Sequence, residues 1–313
     1  MIYEEKTAAQ RKIAQCALKA LLYEVSVTPK PGLVDRADNG AHRDMDFFTF
    51  LDSAAVLTPY FEACAAAGLE AAGTDDGGAC DALLAKLRGP GKEAEREMLR
   101  STGGVNTHKG AIFLLGLLTA AAGCCLGRRE EEFDADRILK AAGRIAAPAL
   151  GDFADAPAAQ PSSGEPENEA GAETAGLKAY RADGSTGVRG EAAAGFPSVK
   201  HAALPALKKA LADGKSVNDA GVEALLKLIL AVDDTTLLKR CGSRAAMETE
   251  RTLLRELLAI YTPAETARHL NDRWSEKGYS AGGCADLLGA AFFLLFTEKT
   301  FASRVRNEGE AYV

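Results

Sequence analysis

Five polar, glycine-rich stretches interrupt an otherwise apolar chain, and chemistry is to be sought there first. They are 28–35 with 40–44, 101–110, 187–191 with 195–197, 233–236 and 280–286. In Ser101-Thr-Gly-Gly-Val-Asn-Thr-His-Lys-Gly110, paired glycines let backbone N–H groups converge, and Thr102, Asn106 and Thr107 add donors. His108 and Lys109 bring charge or a proton just before an apolar helix, a layout that makes an anion nest at a helix N-terminus. A plain glycine turn with an Asn or Thr cap is the alternative. It is not a Walker A loop, because Gly110 rather than Ser or Thr follows Lys109. In the first stretch Pro29 and Pro31 stiffen the chain around Lys30, with Asp35, His42, Asp44 and Asp46 close behind. Asp44 and Asp46 also suit a helix cap and first turn, and His42 a hydrogen-bonded structural role.

Arg189 and Glu191 flank Gly190, a spacing that can aim a guanidinium and a carboxylate into one cleft, or merely form an exposed ion pair. Asp233 and Asp234 follow an apolar helical run, where negative charge opposes the helix dipole. Two adjacent carboxylates there call for a cation or a shared proton. Gly282 and Gly283, ahead of Asp286, suit either close backbone approach to a ligand or tight helix packing.

These stretches need elements to position them, and the periodicity predicts helices. Ile13, Ala17, Leu21 and Glu24 fall on one stripe of a helix over 5–25. A second helix starts at Asp44 and runs toward Gly68, with Phe47, Phe48, Leu51 and Ala55 inward and a kink at Pro59. Others are expected near 79–88, 92–100, 108–126, 134–150, 199–213, 217–232, 243–261, 264–276 and 283–299. Ala supplies about a fifth of the 313 residues and Val plus Ile about 6%, which excludes a mainly β protein. The expected fold is a single all-α domain over 1–313, a multi-helix bundle whose glycine-rich loops form one cleft. Residues 154–176, rich in Pro, Ser, Gly, Glu and Ala, read as a mobile insertion.

Seven cysteines form no C-x-x-C pair, which argues against zinc and a disulfide framework. With 37 basic against 44 acidic residues, a net charge of −7 and a single Trp, the chain lacks the footprint of a nucleic-acid binder. No signal peptide and no uncharged apolar run of about 18 residues is read, so a cytoplasmic protein without membrane contact is expected.

Together the segments EVSVTPKPGLVDRADNGAHRDMDFFTF (24–50), STGGVNTHKGAIF (101–113), GVRGEAAAGFPSV (187–199), DDTTLLKR (233–240) and AGGCADLL (281–288) resemble the triphosphoribosyl-dephospho-CoA synthase family. The resemblance runs in family order along nearly the whole chain outside 154–176. Two positions depart from it: Cys241-Gly242 stands where Gly-Gly is common, and Cys284 where Ser is common.

The resemblance implies an all-α enzyme that transfers the 5-triphosphoribosyl group of ATP to the 2′-OH of 3′-dephospho-CoA and releases adenine. The product then passes to a transferase acting on the acyl carrier protein of citrate lyase or malonate decarboxylase. The phosphoanhydrides stay intact, so the triphosphate is a handle whose binding energy serves the reacting C1′. A β-N-glycoside becomes an α-linked product, which implies a single inverting displacement with a carboxylate base and a group that protonates the leaving base. On this reading Lys30, Thr102, Gly103, Gly104, His108, Lys109 and Arg189 bind phosphates. Glu191 or Asp234 is the catalytic carboxylate, and Asp35, Asp233 or Asp234 reaches Mg²⁺. A helical Mg²⁺-dependent nucleotide or ADP-ribosyl hydrolase, and an inactive CoA- or nucleotide-binding accessory protein, are the competing readings.

Overall fold

The computed structural model describes residues 3–72, 78–128, 133–151, 184 and 186–309. The segment 154–176 lies outside them. Among the described residues there are thirteen α-helices and no strand. In chain order they are α1 (Tyr3–Ser26), α2 (Phe47–Val56), α3 (Thr58–Ala71), α4 (Gly78–Ser101), α5 (Lys109–Gly127), α6 (Ala135–Ala146), α7 (Gly187–Ala193), α8 (Leu204–Ala212), α9 (Val217–Ala231), α10 (Thr235–Cys241), α11 (Arg244–Leu258), α12 (Pro263–Lys277) and α13 (Gly282–Gly309). A 3₁₀ turn (Ala147–Leu150) follows α6 and a π turn (Val199–Ala203) precedes α8.

Helix α5 is the axis of the bundle, packed against α1, α3, α4, α6 and α13. Small residues permit this. A Cβ on Gly68 of α3 would lie 2.0 Å from the Ala120 carbonyl oxygen of α5, and one on Gly123 2.5 Å from the Ala65 oxygen. The alanine content therefore expresses close helix approach, with Phe61, Phe292, Phe293 and Trp274 filling the volume between backbones. Helix α5 also corrects the reading of apolar runs. No charged residue stands between Lys109 and Arg128, and the helix is long and apolar enough to cross a membrane. Yet 78% of its 18-residue apolar window is buried inside the bundle, as in a core helix.

Several boundaries differ from the periodicity. Asp46, not Asp44, caps α2, accepting the Thr49 N–H at 2.8 Å in a capping box. This turns the helix so that Ser53 and Ala54 face inward while Phe48 is 70% exposed and Ala55 is exposed. Pro59 starts α3 instead of kinking a longer helix, since its fixed φ suits a first turn. The expected pair 79–88 and 92–100 is one helix running through Pro90. Two short helices, α7 and α10, escaped the periodicity because seven residues hold at most two repeats of an apolar stripe.

At the outer face Glu250 of α11, 2% exposed, locks α12 in place. Its carboxylate accepts bonds from Arg273 Nε (2.9 Å) and Nη2 (2.8 Å), Lys277 Nζ (2.9 Å) and Trp274 Nε1 (3.1 Å). Burial alone would raise its pKa, but these donors outweigh it and bring it to about 2. Because the folded value lies below the unfolded one, the cluster's contribution is complete above the ordinary glutamate range and is lost as pH falls toward 2. Allowing for the exposure of Arg273 and Lys277, about 2 kcal/mol should disappear between pH 5 and pH 2. Urea titrations should show this slope in the parent protein and a flatter one in Glu250→Gln.

Candidate active site

The loop that carries Lys30 leaves α1 and is fastened from two sides. Asn218 of α9 exchanges hydrogen bonds with Thr28, through N–H to Oδ1 (3.0 Å) and Nδ2 to O (2.7 Å). Asn271 of α12 accepts the Gly32 N–H at 2.9 Å. Gly32 has φ +64, and a Cβ there would lie 2.0 Å from the Tyr279 carbonyl oxygen, so only glycine fits. Inside the loop Asp35 accepts the Lys30 N–H (2.9 Å) on one oxygen and the N–H groups of Ala37 (2.7 Å) and Asp38 (3.2 Å) on the other. Asp35 is thus the loop's internal anchor. Lys30, 1% exposed, is held by this frame and ion-pairs with Glu24 of α1.

Lys30 and Glu24 line a cleft of about 270 Å³ together with His42, Asp44, Phe50, His108, Lys109, Thr236, Arg240, Ser280 and Asp286. His42 Nε2 and Ser280 Oγ are 3.0 Å apart. Lys109 pairs with Glu95 at 3.1 Å and Arg240 donates to the Gly278 carbonyl at 2.9 Å, so two exposed cations rim the opening. Asp286 sits at the N-terminus of α5, where it accepts the Ala111 N–H. A Cβ on Gly110 would lie 1.9 Å from its Oδ2, so the glycine makes room for this carboxylate. Burial first, then the nearby charges of Glu24 and Asp234, push the Asp286 pKa well above the usual range. Burial also raises that of Glu24, and Lys30 pulls it part of the way back. His108 is driven the other way, to about 3, by burial and by Lys30. The cleft therefore combines an aspartate whose ionisation burial resists, a glutamate in an ion pair and a neutral imidazole.

The residues singled out from sequence separate on folding. Lys30, His108 and Lys109 share the cleft. Gly103 and Gly104, both at positive φ, end α4, with the Gly104 N–H donating to the Leu99 carbonyl at 2.7 Å. Thr102 Oγ1 is bonded to the Met98 (2.8 Å) and Val105 (2.6 Å) carbonyls in the same turn. Arg189 lines a different pocket with Tyr60, Leu84, Arg88 and Phe113. Glu191 lines a third, beside Asp233 and Arg244, and accepts the Ser198 N–H at 2.7 Å.

The acidic pair departs most from the sequence reading. Asp234 is the N-cap of α10, accepting the N–H groups of Thr236 (2.8 Å) and Leu237 (3.0 Å), and its other oxygen accepts the Cys284 N–H (2.9 Å). Its charge lies at the favourable end of a helix that the periodicity had not found. Burial raises its pKa, opposed by those three N–H groups. Asp233 is exposed and pairs with Arg244 (2.8 Å) and Arg251 (3.4 Å). Arg251 also donates to the Ile229 (2.9 Å) and Val232 carbonyls at the end of α9. The protein itself thus meets both carboxylates, Asp233 with arginines and Asp234 with backbone N–H groups.

Two cleft carboxylates, Glu24 and Asp286, were not among the sequence-derived site residues. A signal existed for each: Glu24 falls on the apolar stripe of α1, and Asp286 opens an apolar helix. Glu24 is buried and Asp286 half-buried, and core packing requires neither charge.

A helical bundle that gathers buried acidic, basic and imidazole groups around one cation-rimmed cleft has the equipment of an enzyme for anionic substrates. The profile of the ATP:dephospho-CoA triphosphoribosyl transferase family matches residues 10–305, and the chain belongs to that family. A 2-(5''-triphosphoribosyl)-3'-dephosphocoenzyme-A synthase of Pectobacterium atrosepticum is 37% identical over 282 residues, 90% of this chain and 88% of its own. Probable enzymes of the same name from Lactiplantibacillus plantarum and Vibrio cholerae are each 38% identical, over 287 and 299 residues. They cover 90% and 94% of this chain and 95% and 90% of their own. No solved structure matches the chain.

Proposed function

We propose that this chain transfers the triphosphoribosyl group of ATP to the 2′-OH of 3′-dephospho-CoA, releasing adenine. The observation that carries the reading is family membership along residues 10–305. The cleft supplies groups of the required chemical types. In this reading C1′–N9 breaks with its electron pair moving to the purine, and C1′–O2′ forms as the 2′-OH loses its proton. The proton count closes when adenine takes up one proton.

Lys30, Lys109, Arg240 and the α5 N-terminus would hold the triphosphate, whose binding energy positions C1′. Asp286, whose ionisation burial resists, suits the acid that protonates the departing adenine. Glu24, drawn toward ionisation by Lys30, suits the base. These two take the roles that sequence gave to Glu191 or Asp234. Arg189 and Glu191, in neighbouring pockets, are assigned to dephospho-CoA.

The residues first considered for Mg²⁺ do not suit a resident ion. Asp35 and Asp234 have both oxygens bonded to backbone N–H groups, and Asp233 is paired with arginines. Among the described residues no group of three His, Cys, Asp or Glu could hold a metal. In this reading Mg²⁺ arrives on the ATP phosphates as part of the substrate. The product would pass to a transferase that loads an acyl carrier protein.

Incubation with ATP, Mg²⁺ and 3′-dephospho-CoA should release adenine in proportion to a CoA product heavier by the triphosphoribosyl group. Adenine or ribose-phosphate formed without dephospho-CoA would replace this reading with a hydrolase. Binding of ATP and dephospho-CoA without any adenine release would replace it with an accessory binding protein.

A further inference from the structure

His108 is held by a short chain of hydrogen bonds. Thr107 Oγ1 donates to Ser53 Oγ at 2.7 Å, and Ser53 Oγ is 2.6 Å from His108 Nδ1. Ser53 is fully buried on the inward face of α2, and because its oxygen already accepts from Thr107, we assign its own hydroxyl proton to Nδ1. The ring then carries its own proton on Nε2. That nitrogen is buried and has no hydrogen-bond partner among the described residues, while His108 as a whole is 2% exposed in the wall of the cleft. Phe50 packs against the ring edge-to-face, with centroids 5.0 Å apart. An unpaired buried donor is costly unless a ligand satisfies it.

We propose that His108 is a neutral hydrogen-bond donor to a purine ring nitrogen of ATP, and that Ser53 and Thr107 are positioning residues that keep its proton on Nε2. The inference rests on the ATP-dependent reading above and replaces the phosphate role first given to His108. A phosphate is better met by the cations already present, Lys30, Lys109 and Arg240. An uncharged, buried N–H on a ring packed against Phe50 matches an uncharged heteroaromatic acceptor. As C1′–N9 breaks, the electron pair delocalises onto the purine and its remaining ring nitrogens become stronger acceptors. A donor fixed there beforehand stabilises the transition state more than the ground state.

The test compares binding of ATP and of inorganic triphosphate, by titration calorimetry, with single-turnover adenine release. His108→Ala should weaken ATP about tenfold, leave inorganic triphosphate unchanged and slow adenine release on the order of 10²-fold. His108→Gln, which keeps an N–H donor, should retain part of the ATP preference and guards against a folding defect in the alanine variant. Ser53→Ala should lower kcat with little change in KM for dephospho-CoA, and Ser53→Thr, which restores the hydroxyl, should recover it. Equal losses of ATP and inorganic triphosphate in His108→Ala would overturn the proposal in favour of a phosphate contact. Unchanged affinity for both would overturn it as well. If ATP preference depends on His108 while no triphosphoribosyl product forms, the donor assignment stands and the proposed transfer fails.

Discussion

Lys30→Met should unfold in urea with a stability lower by about 3–5 kcal/mol, because it leaves Glu24 buried without its counter-charge. Glu24 is 4% exposed and Lys30 1%, so water cannot substitute for the missing partner. The double variant Lys30→Met/Glu24→Gln should return to within about 1 kcal/mol of the parent, since removing both charges also removes the cost of burying them. Activity should not follow stability. Without the Lys30 charge beside the proposed phosphate site, turnover should stay down on the order of 10²-fold in the single variant, and by at least as much in the double, which also loses the proposed base. Recovery of activity together with stability in the double variant would confine the pair to a structural role. Unchanged stability in the single variant would remove the argument that the pair is buried as a unit.

Asp286→Asn should lower kcat about 10²–10⁴-fold while the melting temperature hardly moves. Asn keeps an oxygen for the Ala111 N–H but loses the transferable proton. In the parent the rate should fall with rising pH once this acid ionises, above the usual carboxylate range because its pKa is raised. The Asn variant should lack that limb. Gly110→Ala should mimic the loss, since its Cβ would occupy the space 1.9 Å from Asp286 Oδ2. Asp234→Asn should behave in the opposite way, costing about 1–2 kcal/mol through the weakened α10 cap. A rate collapse in Asp234→Asn with an unaffected Asp286→Asn would return catalysis to the residue chosen from sequence.

Much of the fold was legible because a helix packed on one side repeats its apolar residues every three or four positions, as α1 and α9 do, while α5 and the first half of α13 are long apolar runs that only a buried helix accommodates. Helices α7 and α10 are too short for that signal. Missing α10 is what made Asp233 and Asp234 look like a stranded acidic pair. From sequence they follow the C-terminus of one helix, whereas the backbone turns at Asp234 and starts another. Glycines were ambiguous in a similar way. Gly103 and Gly104 close α4, while Gly110 clears space for a carboxylate more than 170 positions away in the chain.

By itself the sequence determined the all-α class, the polar stretches at helix ends and the family, and it singled out Lys30, His108 and Lys109, which line one cleft. Those properties reside in local periodicity and in the order of short motifs. Only the tertiary structure decided which carboxylates face the cleft. An aspartate's task depends on the donors that meet its oxygens. For Asp35 and Asp234 these are backbone N–H groups, for Asp233 arginine side chains, and for Asp286 one N–H at a helix start. The donors come from residues as far apart as Asp234 and Cys284, or Ala111 and Asp286. Packing brings them together, and it leaves Glu24 and Asp286 facing the cleft instead of Glu191 and Asp234.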